Sequence, residues 1–225
     1  MASTLPSTRE PGLWLRRENT RDFSGRPALF LDRDGVIVKE INYLHRIEDC
    51  EFIDGAKQTI RRANELNVAT IIVTNQSGVG RGYYDWAQFT ALQDYILAQF
   101  REDGAEIDMV LGCAYHPDGQ SPYNKSAHDW RKPNSGMLTA AAAALGVNLG
   151  PSWLIGDSRS DIDAAHQAGL AGAFHVLTGH GVRDRATLTA NVPSLTTDDL
   201  SNFEIRKIDS INDAHPELAM LFGST

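Results

Sequence analysis

This sequence predicts a doubly wound α/β fold with a mostly parallel sheet, and three observations carry that prediction. Residues 68–73 are a continuous run of Val, Ala, Thr and Ile, the pattern of a strand buried on both faces. Such runs alternate with segments whose apolar residues recur at helical spacing. Charged and small polar residues gather where the runs end, and in an open parallel sheet that edge is where ligands bind.

The elements follow in order. Residues 1–26, rich in Ser, Thr, Pro, Arg and Glu, read as an N-terminal extension that is draped over the domain or partly disordered, with Trp14 as its anchor. Residues 27–225 read as one domain. Residues 28–31 form the first strand. Residues 54–66 form a helix that Asp54 can cap, with Ile60, Ala63 and Leu66 on its apolar face. The run 68–73 is the second strand, and 85–102 a longer helix carrying Phe89, Leu92, Ile96 and Phe100. A third strand at 108–113 leads into an irregular loop, 114–134. Alanine-rich residues 135–145 are good helix material. A strand at 153–155, a helix at 160–168 closed by Gly169, and a strand at 172–177 complete the regular pattern. The tail adds a strand near 203–208 and a helix near 211–221.

Bulk properties narrow the function. With 225 residues, the chain is long enough to bury a sizeable core. A net charge of −8 provides no global field for nucleic acid or an anionic membrane, so neither is an expected partner. No apolar stretch would span a bilayer, and the N-terminus lacks the basic-then-apolar pattern of a secretory signal. Two cysteines, Cys50 and Cys113, make no disulfide framework and suit a reducing cytoplasm.

The chemistry gathers at the predicted strand ends. The first strand stops at Asp32-Arg33-Asp34-Gly35, and folding alone has no use for two carboxylates there. The second stops at Thr74-Asn75-Gln76-Ser77-Gly78, the long loop at Arg131-Lys132-Pro133, and the fourth strand at Gly156-Asp157-Ser158. A lone Asp-x-Asp would read as an exposed turn. Converging carboxylates, a hydroxyl, an amide and two cations instead suit Mg²⁺ and a phosphate group. Asp161 and Asp163 read as helix N-terminal carboxylates that favour the dipole.

In this order, DRDGV, TNQSG, RKP and GDSRSD resemble the four motifs of the haloacid dehalogenase-like (HAD) hydrolases. FLDRDG, EFIDG, VTNQSGVGRG, RKPNSGM and GDSRSDIDAA are most similar to the heptose bisphosphate and histidinol-phosphate phosphatase branch, over roughly residues 27–180. The resemblance implies roles. Asp32 is the nucleophile that forms an aspartyl-phosphate, and Asp34 the general acid and base. Asp32, Asp34 (through its carbonyl) and Asp157 hold Mg²⁺. Thr74 and Lys132 bind the transferring phosphoryl group, while Asn75 and Arg131 bind phosphate or the substrate body. About forty residues separate the first two strands, which leaves no room for a cap domain. Loops 36–50 and 114–131 are expected to close the site instead.

The sequence departs from that branch in two places. Its relatives carry a zinc loop, Cys-x-His followed by Cys-x-Cys before Arg-Lys-Pro. Here Cys113 remains, but Tyr115, His128 and Trp130 occupy the other ligand positions, so zinc is not expected. Packing of Tyr115, Tyr123 and Trp130 is expected to hold the loop. Ser158 also stands where the branch has Lys. The implied reaction is Mg²⁺-dependent hydrolysis of a phosphorylated sugar, a heptose 1,7-bisphosphate, by a monomer or small homo-oligomer. Histidinol phosphate or another small phosphomonoester stays open as the substrate, and a phosphomutase or a non-catalytic phosphate-binding protein as other classes.

Overall fold

A computed structural model describes residues 10–190 and 203–223. Seven strands form one sheet: β1 (Leu13–Arg17), β2 (Ala28–Leu31), β3 (Ala69–Asn75), β4 (Met109–Cys113), β5 (Trp153–Gly156), β6 (Gly172–His175) and β7 (Glu204–Lys207). Their spatial order is β1-β4-β3-β2-β5-β6-β7, parallel throughout except for β1. The chain winds from β2 outward to β4, then crosses back to β5 and winds the other way. The switch point therefore lies beyond the C-terminal end of β2, between β3 and β5, where such sheets leave a crevice.

Strand pairing follows from side-chain alternation. Leu29 and Leu31 point into one core, Ala28 and Phe30 into the other, and all four are fully buried. Helices α1 (Ala56–Glu65) and α3 (Trp86–Glu102) cover the first face with Ile60, Phe89, Leu92 and Ile96. Helices α4 (Gly136–Leu145) and α5 (Arg159–Gln167) cover the second with Met137, Leu138, Ala141 and Ile162. Two-sided burial explains why these strands read as continuous apolar runs. The C-terminal helix is broken: α7 (Ile211–Ala214) and α8 (Leu218–Phe222) flank a 3-10 turn at His215–Glu217 that contains Pro216.

Several elements differ from the sequence reading. Part of the expected extension is β1, an antiparallel edge strand in register with β4 from Leu13↔Cys113 to Arg17↔Met109. Trp14 is its buried anchor; its indole donates to Thr90 Oγ1 at 3.2 Å and lies edge-on to Phe89. Residues 1–9 lie outside the described part. Two helices have no counterpart in the prediction: α2 (Ser77–Gly80), a single turn, and α6 (Gly181–Ala190), whose first residues border the crevice. Asp54 does not cap α1; Gly55, at φ +83°, takes that position. Among the described residues, no helix is long and apolar enough to cross a membrane. Between β2 and α1 lie only loops and a 3-10 turn at Ile47–Asp49, with no inserted domain.

Asp108 ties the N-terminal segment to the sheet. Fully buried, it accepts from the Thr70 amide at 2.7 Å and from Asn19 Nδ2 at 2.6 Å, while its carbonyl accepts from the Glu18 amide at 2.9 Å. Removing the carboxylate leaves the Thr70 N–H buried without its acceptor. Asp108→Ala is therefore expected to lower stability by about 2–3 kcal/mol, read as a lower urea midpoint at unchanged slope.

Candidate active site

The crevice at the switch point is a cleft of about 540 Å³. Its floor carries Asp32, Asp34, Thr74, Lys132 and Asp157, brought together from four separate segments. Asn75 and Arg131 also line it, so every predicted site residue borders the same space. The expected covering loops contribute Glu40, Asn42, Tyr43 and Leu44 from one side and Arg131 from the other.

Asp32 sits one residue past β2, where its amide extends the parallel ladder to Ile155 O at 3.0 Å. The strand then turns instead of continuing through Asp34. Arg33 O accepts from the Ile37 and Val38 amides, and Gly35 adopts φ +85°. The extended ladder delivers Asp32 to the cleft and the turn delivers Asp34. Gly35 also allows close packing: a Cβ there would fall on Asp157 Oδ2. Thr178 Oγ1 closes the contact by donating to Gly35 O at 2.5 Å, and the His180 amide donates to Asp157 Oδ2 at 2.7 Å.

Lys132 is buried, and its three donors all have acceptors: Asp161 Oδ1 at 2.6 Å, Val73 O at 2.9 Å and Asp32 Oδ1 at 2.9 Å. Burial works against its charge, but Asp161 and Asp32 more than offset this and hold the ammonium above the usual lysine range. Asn75 grips the same residue by its backbone. Its Nδ2 donates to Lys132 O at 3.0 Å and its Oδ1 accepts from Lys132 N at 3.1 Å. Both ends of the amide are thus occupied, and what Asn75 touches is the loop that delivers Lys132.

Gln76 and Arg33 are functional neighbours that the sequence reading left without roles. Gln76 Nε2 donates to Asp34 Oδ2 at 3.0 Å and to Thr74 Oγ1 at 2.8 Å. With Gln76 on its lone pair, the Thr74 hydroxyl is left to donate elsewhere. Arg33, buried against the Phe89 ring, clasps Asp34 through Nε and Nη2 at 3.0–3.2 Å. Tyr84 OH donates to Gln76 Oε1 and completes the network. Gln76 was visible in the TNQSG motif. Arg33, between two aspartates, reads as a solvated charge until the fold buries it.

Asp161 does two jobs at the start of α5. Oδ2 accepts from the Ser158 amide and hydroxyl in a capping box, and Oδ1 takes Lys132. Carboxylate oxygens of Asp32, Asp157 and Asp161 lie within 4.8 Å of one another. Both oxygens of Asp161 are committed, so Asp32 and Asp157 are the donors this cluster offers a cation. Their own electrostatics ask for one. Burial, with neighbouring carboxylates adding to it and Lys132 only partly opposing it, pushes Asp32 up to about 7 and Asp157 up to about 8. Hard oxygen donors in a cleft that Lys132 and Arg131 also line fit Mg²⁺ with a phosphate group.

Known proteins resemble this chain in sequence and in fold. Residues 129–203 match the HAD-hydrolase-like family model. The D-glycero-beta-D-manno-heptose-1,7-bisphosphate 7-phosphatase of Mesorhizobium japonicum is 41% identical over 163 residues, 72% of this chain and 75% of that protein. This chain belongs to the HAD-like hydrolases, in the heptose bisphosphate phosphatase branch. It is a phosphoric monoester hydrolase. The D-glycero-alpha-D-manno-heptose-1,7-bisphosphate 7-phosphatase of Photorhabdus laumondii is 40% identical over 67% of this HAD phosphatase and 82% of its own length. Among solved structures, a HAD-like phosphatase from Mesorhizobium loti superposes with a TM-score of 0.82 at 34% identity, covering 96% of this chain and 98% of the other. D,D-heptose 1,7-bisphosphate phosphatase from B. bronchiseptica, complexed with magnesium and phosphate, gives 0.72 at 27% identity, covering 86% and 98%.

Two outcomes test this site. Asp32 and Asp157 titrate higher folded than unfolded, so they bind protons that the unfolded chain has already lost. Without metal, the stability these two groups contribute is therefore fully present below about pH 4 and lost as pH rises through about 7–8. Mg²⁺ replaces those protons, so the rise in Tm on adding Mg²⁺ should be larger at pH 8 than at pH 5.5; differential scanning fluorimetry reads this directly. Gly35→Ala should displace Asp157 and cut kcat/KM by roughly 10²-fold.

Proposed function

We propose that this phosphatase hydrolyses one phosphomonoester of D-glycero-D-manno-heptose 1,7-bisphosphate, and that Asp32 is its nucleophile. The observation that carries the reading is the contact of Lys132 Nζ with Asp32 Oδ1 at 2.9 Å, beside Asp34 and the Thr74 hydroxyl. The heptose substrate is taken from the names of the relatives that align over most of their length. The site chemistry favours the reaction class independently.

An Asp32 oxygen attacks phosphorus, the bond to the sugar oxygen breaks, and an aspartyl-phosphate forms. Lys132 spreads the charge of Asp32 and of the phosphoryl oxygens. Thr74, its lone pair engaged by Gln76, points its proton at the transferring group. Asp34, oriented by Arg33 and Gln76, protonates the departing sugar oxygen and then takes a proton from the water that cleaves the intermediate. Asp32, Asp157 and the Asp34 carbonyl would hold Mg²⁺, which supplies charge neutralisation to the phosphate and to the carboxylates around it. Asn75 serves by fixing the backbone of Lys132.

Arg131 is the candidate contact for the far end of the substrate. It lines the cleft, and no ion pair joins it to a carboxylate among the described residues. Burial first, and then the nearby Arg81, lower its affinity for a proton. An anionic substituent would relieve both, as the second phosphate of a bisphosphate does. Two free thiols, Cys50 and Cys113, fit a reducing cytoplasm.

Asp32→Asn should abolish phosphate release, by more than about 10³-fold, and remain folded by circular dichroism. Activity surviving in that variant would remove Asp32 from the mechanism. A phosphate-release panel with both heptose bisphosphate anomers, histidinol phosphate and common sugar phosphates tests the substrate. The highest kcat/KM is expected on a heptose bisphosphate, and a preference for histidinol phosphate would replace it.

A further inference from the structure

The loop that brings Arg131 into the cleft departs from the family's zinc loop at three of its four ligand positions, and a carboxylate from the N-terminal segment stands beside two of them. Glu10 lies three residues before β1. Its Oε2 accepts from Tyr115 OH at 3.0 Å, from Lys125 Nζ at 3.0 Å and from His128 Nε2 at 3.3 Å. Three separate points of the loop thus converge on one oxygen. The Tyr115 ring stacks on the His128 imidazole with centroids 4.4 Å apart, and the Lys125 ammonium sits 4.3 Å above the Tyr115 ring. His128 Nδ1 accepts from the Trp130 amide at 3.1 Å, so its ring hydrogen is on Nε2, directed at Glu10.

The cluster is connected to Arg131 by two further bonds. Arg131 Nη1 donates to Tyr115 O at 2.9 Å, and the Arg131 amide donates to His128 O at 2.8 Å. The residues that aim Arg131 are therefore two of those Glu10 holds. Strand pairing puts Glu10 within reach. Leu13 is in register with Cys113, and the Ala114 amide donates to Gly12 O at 2.8 Å. The indole of Trp86 donates to Pro11 O at 2.8 Å. Gly12 admits the Tyr115 ring, because a Cβ there would lie 2.5 Å from its Cζ.

We propose that Glu10 is a positioning residue for substrate recognition, stapling loop 114–131 where the family uses a metal and thereby setting the position of Arg131. The proposal rests on the reading of Arg131 as a substrate contact. An exposed Glu–Lys pair alone contributes little. The constraint here comes from the buried Tyr115 and half-buried His128 sharing the same acceptor.

The test combines amide hydrogen exchange with a double-mutant cycle on the full chain. Glu10→Ala should speed exchange across 114–131 while β2 and β3 stay protected. It should raise KM for heptose bisphosphate by about tenfold and leave kcat within about twofold. Glu10→Gln, which keeps an oxygen acceptor, should retain most of the wild-type KM. Tyr115→Phe, which keeps the ring and loses the donor, should move in the direction of Glu10→Ala. In an Arg131→Ala background, Glu10→Ala should add little, since the two act as one unit. Unchanged exchange in the loop overturns the staple. An equal KM effect with and without Arg131 overturns the link to recognition. If Arg131→Ala itself leaves KM unchanged, the reading of Arg131 fails and the link falls with it, while the exchange result still decides the staple.

Discussion

The site is organised around one buried ammonium. Lys132 has three hydrogens and three protein acceptors, one each from β3, α5 and the end of β2. Taking a charge out of water is tolerable only when each donor is met, and losing one partner of such a pair typically costs about 3–5 kcal/mol. The loop end, the nucleophile and the helix start therefore cannot shift independently. Asn75 adds two backbone bonds to the same residue, which makes the Lys132 position over-determined. Preorganisation of this kind lets a small, open site act on a highly charged group.

Around that cation the balance is acidic. Asp32, Asp34, Asp157 and Asp161 meet Lys132 and Arg33, and the excess carboxylate is what a divalent ion would complete. Close approach makes the excess possible: Gly35 and Gly179 both leave room where a Cβ would strike Asp157. The same crowding that raises the Asp32 and Asp157 proton affinities creates the metal preference, so proton and cation compete for one site.

Much of this was legible in the sequence, for identifiable reasons. Parallel strands buried on both faces leave unbroken apolar runs, so β2 to β6 could be read locally, and their polar ends marked the cleft. What escaped lacked a local signal. β1 is five residues, LWLRR, whose meaning depends on β4 almost a hundred positions away. α6, GVRDRATLTA, shows no apolar stripe. Arg33 looks solvated until Asp34 and Phe89 enclose it, and Asp161 looks like a simple helix-dipole carboxylate until Lys132 arrives. The expected aromatic packing of the 114–131 loop is present in part: Tyr115 and Tyr123 lie 6.5 Å apart, but the partner stacked on Tyr115 is His128. Glu10 was invisible because its three partners exist only after the loop has folded.

The placement of β1 has a kinetic consequence. Closing so long a chain segment carries a large entropic cost, and the docked strand returns little until the β4 edge exists. Docking of β1 is then expected late, outside the folding nucleus. Contacts made after the transition state govern how fast a protein comes apart more than how fast it assembles. β1 precedes β4 in the chain yet would find its place after it, and once there it would act as the latch that slows opening at that edge.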